Sequence, residues 1–81
     1  MLNITLKDST ETRLQIASKG FTIRGFARHI NVSPGYLSEV LSDKKEPSAN
    51  FAYKVAKGLD QKMEHIFLIK VSANNGQKEV K

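Results

Sequence analysis

Residues 22–42 read TIRGFARHINVSPGYLSEVLS, and this stretch decides the fold. Its first half repeats apolar residues at positions i, i+3, i+4 and i+7, a spacing that predicts one buried face of a helix. These residues are Ile23, Phe26, Ala27 and Ile30. Thr22 precedes them and is a suitable N-cap, because its hydroxyl can accept a hydrogen bond from a backbone N–H of the first turn.

The second half of this stretch predicts another helix, which begins at Ser33-Pro34. Serine is a good N-cap, and proline is tolerated at the first helical position because its missing N–H would have no partner there. The predicted buried stripe is Leu37, Val40 and Leu41, which leaves Gly35, Ser38, Glu39 and Ser42 facing outward. Asn31 lies in the connection between the two helices, where a positive φ is needed and asparagine is the best choice after glycine.

Three further helices are predicted around this pair. The first runs from about Thr10 to Lys19, with Ser9 or Thr10 as its cap and Gly20 as its end. Its residues at helical spacing are Leu14, Ala17 and Phe21. A fourth helix follows the cap Ser48 and has Phe51, Ala52, Val55, Ala56 and Leu59 on one face, with Gly58 weakening its end. A fifth segment, about 61–69, offers Met63, Ile66 and Phe67 to the core.

The two ends of the chain carry a weaker, alternating pattern. Leu2, Ile4 and Leu6 alternate with polar residues, as do Ile69 and Val71, which is typical of short strands. Asn74-Asn75-Gly76 is a turn signal. The ends therefore either pair as a small sheet or form a frayed N-terminus and a disordered tail over about 72–81.

Composition bounds the class of protein. The chain has 81 residues, no cysteine and a net charge of +5, from 13 Lys+Arg against 8 Asp+Glu. This predicts a single domain over residues 1–81 of a cytoplasmic protein, since no segment approaches the roughly 20 apolar residues of a membrane helix. A basic surface favours polyphosphate partners, because neutralised phosphates release condensed counterions.

The segment IRGFARHINVSPGYLSEVLSDKKEPS resembles the Cro/repressor-type helix-turn-helix family, which includes many phage repressors. The similarity continues through FAYKVAKGLDQKMEHIF and spans about Leu14 to Phe67. It implies a mainly α fold, a five-helix lambda-repressor-like domain that binds double-stranded operator DNA. In that family the helix-turn-helix, here about residues 22–42, places its second helix in the major groove.

The resemblance also implies which residues contact DNA. The expected base-contacting residues are Ser33, Pro34, Gly35, Tyr36, Ser38 and Glu39. The expected phosphate-contacting residues are Thr22, Arg24, Arg28, Ser42, Lys44, Lys45, Asn50 and Lys54. Two departures stand out: relatives often begin the second helix with glutamine where this chain has Ile23, and the polar base readers at the start of the third helix are replaced by Pro34 and Gly35.

A third departure from the family concerns two positions that carry an ion pair in relatives and apolar residues in this chain. Relatives pair an arginine in the first helix with a glutamate near the end of the third, and the matching positions here are Ile16 and Leu41. Replacing a buried ion pair by a matched apolar pair is often neutral or stabilising. We therefore expect Ile16 and Leu41 to share the core.

The resemblance further implies a homodimer, at least on DNA. We expect its interface in the apolar run Ile66, Phe67, Leu68 and Ile69, extended by alternating residues up to Val71. No enzyme activity, metal or cofactor is expected, since His29 and His65 are isolated and no phosphate loop or catalytic triad is present.

Two functions fit the sequence. The first is a sequence-specific transcription regulator, a repressor or Cro-like protein of a phage, prophage or mobile element. The second is a protein-interaction module on the same fold, such as an antitoxin or anti-repressor partner, with little DNA binding. The second is favoured by Glu39, Asp43 and Glu46, which would repel phosphate. Salt-dependent binding to duplex DNA discriminates between them.

Overall fold

The computed structural model describes residues 2–71 and contains five helices and one two-stranded sheet in this range. The elements are β1 (Leu2–Leu6), α1 (Ser9–Ser18), α2 (Ile23–His29), α3 (Pro34–Leu41), α4 (Ala49–Gly58), α5 (Met63–Ile66) and β2 (Phe67–Val71). The mainly α class with short terminal strands is thus confirmed. The predicted disordered tail and the turn at Asn74-Asn75-Gly76 lie outside the described residues. No helix within 2–71 is long and apolar enough to cross a membrane.

Side-chain caps begin four of the helices. The predicted caps Thr22, Ser33 and Ser48 each accept a hydrogen bond from the backbone N–H three residues later. The first helix differs from the prediction, because its cap is Asp8, whose carboxylate accepts from the Glu11 N–H at 3.1 Å. Ser9 and Thr10 therefore lie inside the first turn.

Four helix ends share one backbone geometry. After α1, α2, α3 and α4 a residue with positive φ reverses the chain; these residues are Gly20, Asn31, Asp43 and Asp60. At each end two backbone N–H groups donate back into the last turn, over N···O distances of 2.8–3.3 Å. This pattern satisfies carbonyls that the helix itself leaves free. The positive φ predicted for Asn31 is present, at 62°.

The core is built from one face of every helix, from the middle of β1 and from the first residue of β2. Its buried apolar residues are Ile4, Ile16, Phe26, Ala27, Leu37, Val40, Leu41, Phe51, Ala52, Val55, Ala56, Leu59, Ile66 and Phe67. Ile16 and Leu41 are both in this cluster, and α1 packs against α3. The two positions where relatives carry opposite charges are therefore both apolar and buried.

The buried face of α1 differs from the predicted one. Leu14 and Ala17 are exposed, while Thr12 and Ile16 face the core. Thr12 can be buried because its hydroxyl donates to the Asp8 carbonyl at 3.0 Å, so no polar group is left without a partner. A sequence search for apolar spacing misses this face because one of its members is polar.

The chain ends pair as an antiparallel sheet. Leu2 lies opposite Val71, Ile4 opposite Ile69, and Leu6 opposite Phe67. Residues directly opposite each other share a face, and this face carries the buried Ile4 and Phe67. The fifth helix is therefore shorter than predicted: it ends at Ile66, because from Phe67 onward the backbone pairs with β1 instead of continuing the helix.

Gly58 allows close packing of α4 on α2. A Cβ atom at this position would lie 2.5 Å from Ile30 Cγ2 and 3.0 Å from two ring carbons of Phe26. Such distances are well inside van der Waals contact, so the glycine is required by the approach of the two helices. The sequence-based expectation that Gly58 only weakens the helix end was incomplete.

We expect Gly58→Ala to lower the free energy of unfolding by about 1–2 kcal/mol, because overpacking outweighs the better helix propensity of alanine. Gly35→Ala is the matched control, because the added Cβ would meet only Ser33 Oγ at 3.8 Å. Only the higher helix propensity of alanine should then contribute, and the free energy of unfolding should rise slightly. Denaturant unfolding of both variants tests this. Equal effects of the two substitutions would contradict the packing role of Gly58.

Candidate nucleic-acid interface

A shallow groove lies where α2 and α3 begin. It has a volume of about 280 Å³ and is lined by Ile23, Arg24, Pro34, Gly35 and Ser38. Three of these residues were predicted to contact bases and one to contact phosphate, so the fold brings residues from both sets together. Ile23, which stands where relatives often have glutamine, lies in the same groove.

The outward face of α3 has little side-chain bulk. Ser38 and Glu39 are exposed, and Gly35 leaves open space above the first turn. Ser33 caps the helix, with its hydroxyl 3.3 Å from the Tyr36 N–H. Pro34 is half-buried at the first helical position. A ligand that approaches this face meets two serine hydroxyls, one carboxylate and accessible backbone.

Tyr36 is held within the protein. Its ring packs edge-to-face on Phe51, with centroids 4.6 Å apart. Its hydroxyl donates to the Glu46 carbonyl at 3.2 Å and accepts from the Ser48 N–H at 3.3 Å. Both partners lie in the connection between α3 and α4. This predicted base-contacting residue therefore fixes the loop that carries Lys44 and Lys45.

The predicted phosphate-contacting residues surround the groove on several elements. Thr22 caps α2, and Arg24 and Arg28 lie four residues apart on its exposed face. Lys44 and Lys45 are exposed in the loop after α3. Ser42 is already engaged, since its hydroxyl accepts from Arg13 Nη2 at 3.4 Å. Arg13 at the edge of this surface was not predicted from the sequence.

Asn50 and Lys54 lie in a separate cleft between α2 and α4. The cleft has a volume of about 430 Å³ and is lined by His29, Ile30, Asn50, Tyr53, Lys54, Lys57 and Gly58. Lys54 Nζ donates to the Asn31 carbonyl at 3.5 Å, which connects α4 to the turn before α3. The sequence signal for this cleft was available, because Asn50, Tyr53, Lys54 and Lys57 recur at helical spacing on the polar face of α4.

Charge is distributed unevenly around the candidate interface. Neither α2 nor α4 contains an aspartate or glutamate. The acidic residues Glu39, Asp43 and Glu46 are exposed at the end of α3 and in the loop that follows. Within residues 2–71 one ion pair is formed, Lys19 Nζ to Asp60 Oδ2 at 3.0 Å, and it lies away from the groove. The arginines of α2 and the lysines of the α3–α4 loop are therefore not neutralised by an ion pair among the described residues, and their charges can interact with a ligand.

The predicted dimer interface needs correction. Ile66 and Phe67 are 2% and 1% exposed, so they belong to the core of the same chain and cannot contact a partner. Leu68 and Ile69 are exposed, as are Leu2 and Val71. Because Leu2, Ile69 and Val71 share one face of the sheet, they form an apolar end that extends past the core.

The two histidines have local partners. His29 lies against Phe21, with ring centroids 4.8 Å apart, and His65 Nδ1 lies 3.4 Å from Gln61 Oε1. Among the described residues no group of three or more His, Cys, Asp or Glu side chains is arranged to hold a metal ion.

Comparison with known proteins gives one match. A family model described as helix-turn-helix matches residues 13–66, from within α1 to the last residue of α5. The matched range contains the groove, the α3–α4 loop and the α2–α4 cleft. No curated protein and no solved structure matches the chain.

Proposed function

The chain belongs to the Cro/repressor-type helix-turn-helix family of DNA-binding transcription regulators, and on this premise we propose that it binds a specific operator as a homodimer. We propose further that it acts as a repressor or Cro-like protein of a phage, prophage or mobile element. Each protomer inserts α3 into a major groove, as the fold of its family implies.

The groove between α2 and α3 is the observation that carries this proposal. The major groove is about 12 Å wide and admits an α-helix, and small residues on the outward face of that helix let its backbone come close to the DNA. Gly35 and Ser38 are small, so the outward face of α3 has little side-chain bulk. Arg24 lines the same groove and forms no ion pair among the described residues. Gly35 is not required by packing inside the protein, since a Cβ there would have room. Close approach of DNA backbone or bases gives this glycine a function.

Base reading falls to few side chains in this proposal. Ser33 and Ser38 can donate to or accept from base edges, and Glu39 can accept from cytosine N4. Pro34 and Gly35 contribute contact surface only. Tyr36 acts through the loop that it holds, because its hydroxyl is engaged. Phosphate contacts from Thr22, Arg24, Arg28, Lys44 and Lys45 then position the domain without reading sequence.

Selection of bound sites from random duplex DNA tests the proposed function. We expect an inverted repeat with half-sites about one helical turn apart, because a two-fold dimer places its α3 helices about 34 Å apart. Recovery of no enriched site, together with no salt-dependent binding to any duplex, would refute it. A protein partner recovered in that case would favour the interaction-module function.

The lysines of the α3–α4 loop give a quantitative prediction for DNA binding. We expect Lys44→Ala and Lys45→Ala to weaken binding to specific and random duplexes alike, each reducing the slope of log K against log salt by about one. Titrations at several salt concentrations measure this slope. An effect confined to the selected site would instead mean that the lysine reads a base.

The dimer contact is proposed at the apolar end of the sheet, formed by Leu2, Ile69 and Val71. Ile69 is 41% and Val71 78% exposed, so a second copy can cover surface that the monomer leaves in water. One α3 helix covers too few base pairs to select a site in a genome, which is why pairing of two domains is needed.

Ile69→Asp is expected to reduce affinity for the selected inverted repeat at least 10-fold, because a desolvated charge would oppose pairing. Thr5→Asp is the control, since Thr5 is exposed on the opposite face of the same sheet. Stoichiometry on the duplex and sedimentation of the free protein are the measurements. A dimer that tolerates Ile69→Asp would place the interface elsewhere.

A further inference from the structure

The groove at the start of α2 and α3 has an apolar wall. It is formed by Ile23, the first residue of α2, and Pro34, the first residue of α3, and both are half-buried. Ile23 also packs against the core, so the protein itself holds this side chain in place. Relatives often have glutamine at the position of Ile23. The wall is therefore a feature of this chain, and it offers apolar surface where a hydrogen-bonding side chain is common.

The polar groups of the groove are few and lie beside the apolar wall. Gly35 adds no side chain, and a Cβ built there would meet only Ser33 Oγ at 3.8 Å, so the space above it is open. Ser38 contributes one hydroxyl and Arg24 one guanidinium, and both residues are exposed. The carboxylate of α3, on Glu39, is exposed but does not line the groove. The groove thus suits a small apolar group that has a hydrogen-bond acceptor next to it.

The bases present one such combination in the major groove of unmodified DNA. Thymine carries an apolar C5 methyl group beside the O4 acceptor. Cytosine presents an N4 amino group and no methyl group, and the purines present N7 together with an amino or carbonyl group. These polar groups would lose water against Ile23 and Pro34 without gaining a hydrogen bond there, which opposes their binding to the wall.

We propose that Ile23 and Pro34 form a subsite for the C5 methyl group of one thymine in each half-site. The Ser38 hydroxyl donates to O4 of the same base. Thymine is favoured over 5-methylcytosine, because the Arg24 guanidinium in the same groove attracts the O4 acceptor and repels an N4 amino group. Ile23 thereby determines specificity, although it was not among the residues expected to contact DNA. This inference rests on the proposed function and names one base of the operator.

Deoxyuridine in place of thymine tests the inference, because it removes the methyl group and leaves the other major-groove atoms unchanged. The probe is the selected duplex, in which each thymine of a half-site is replaced in turn. We expect one position where the replacement weakens wild-type binding about 4-fold, the effect of exposing one buried methyl group. Replacement in both half-sites should weaken binding about 15-fold, since distant sites add in free energy. Thymines outside the half-sites are the control.

Ile23→Ala is the matching protein variant, with Ile30→Ala as its control. Both isoleucines are half-buried and pack against the core, one at the first residue of α2 and the other just after its last, but Ile30 lies outside the groove. The readout is the ratio of the dissociation constants for the deoxyuridine and thymine duplexes. Because one protein preparation binds both duplexes, a partly unfolded fraction cancels from this ratio. We expect a ratio of about 1 for Ile23→Ala and about 4 for Ile30→Ala.

The outcomes separate this inference from the proposed function. A selected half-site without thymine, or a ratio near one at every thymine, would overturn the subsite and leave the regulator intact. A ratio that Ile23→Ala does not change would assign the methyl group to another residue and overturn it as well. Tighter binding of a duplex with 5-methylcytosine at that position would assign the wall to methylated cytosine instead of thymine. Wild-type protein that binds no duplex would refute the proposed function itself.

Discussion

Leu41→Glu should lower the free energy of unfolding by about 3–5 kcal/mol, which is a large part of the total for a domain of this size. Leu41 is 2% exposed and belongs to the same core cluster as Ile16. A glutamate there would lose the apolar contacts of leucine and bring a carboxylate among apolar side chains. The position where relatives use an arginine as partner offers only Ile16, so the new charge would stay unpaired.

Leu14→Glu is the matched control for this prediction. Leu14 is 59% exposed on α1, so the same change of side chain should alter stability by less than about 0.5 kcal/mol. Denaturant unfolding of the two variants gives the difference directly. Wild-type stability of Leu41→Glu would show that the site tolerates charge and that the core assignment of α3 is wrong. Adding Ile16→Arg to Leu41→Glu should restore part of the loss, because it recreates a pair.

Ser38→Glu should reduce binding to the selected operator about 100-fold or more. Ser38 is exposed in the groove at the start of α2 and α3, next to Gly35 and Arg24. A glutamate at this position would add bulk to the outward face of α3. Its carboxylate would repel the phosphates on both sides of the major groove and would compete with DNA for the Arg24 guanidinium. A single lost base contact typically costs about 1–3 kcal/mol, and the repulsion adds to it.

Ser18→Glu is the control for charge alone. Ser18 is an exposed serine at the end of α1, outside the groove residues, and its substitution changes the net charge by the same amount. Binding isotherms on the selected duplex and on a random duplex are the measurements. If both variants weaken binding equally, net charge explains the effect and α3 is not the reading helix. Unchanged operator binding by Ser38→Glu would place the DNA contact on another face.

The sequence predicted the central helices closely because their signals are local. A cap side chain hydrogen-bonds three residues ahead, and an apolar stripe recurs every three or four residues, so Thr22, Ser33 and Ser48 mark helix starts without knowledge of the rest of the chain. The candidate groove follows from the same local pattern. Once α2 packs against α3, Arg24 and Ser38 lie near each other at the groove where the two helices begin. The match over residues 13–66 covers the part of the chain where these local signals are strongest.

Residues whose role depends on a distant partner were harder to predict. Tyr36 was expected to contact bases because it lies in the recognition helix, yet its hydroxyl bonds to Glu46 and Ser48, ten and twelve residues away. Phe67 was expected both in the core and at the dimer interface, and the pairing of β2 with β1 buries it in the core. Spacing alone does not give the hydroxyl partners of Tyr36 or decide between the two positions expected for Phe67, since both depend on how separate elements meet.

The sequence by itself determined the helix-turn-helix and its exposed basic and polar residues, because caps, apolar periodicity and a positive-φ turn act over a few residues. Only the tertiary structure decided which residues form the contacts between helices and strands. Gly58 is needed because Phe26 of α2 and Ile30, the residue after α2, approach it, and Thr12 is buried because α1 turns that face inward. The cleft between α2 and α4 exists because the Asn31 turn and Lys54 are brought together across 23 residues of chain. Contacts of this kind arise from packing, where the free energy of burial is shared by the whole core, and no short segment encodes them alone.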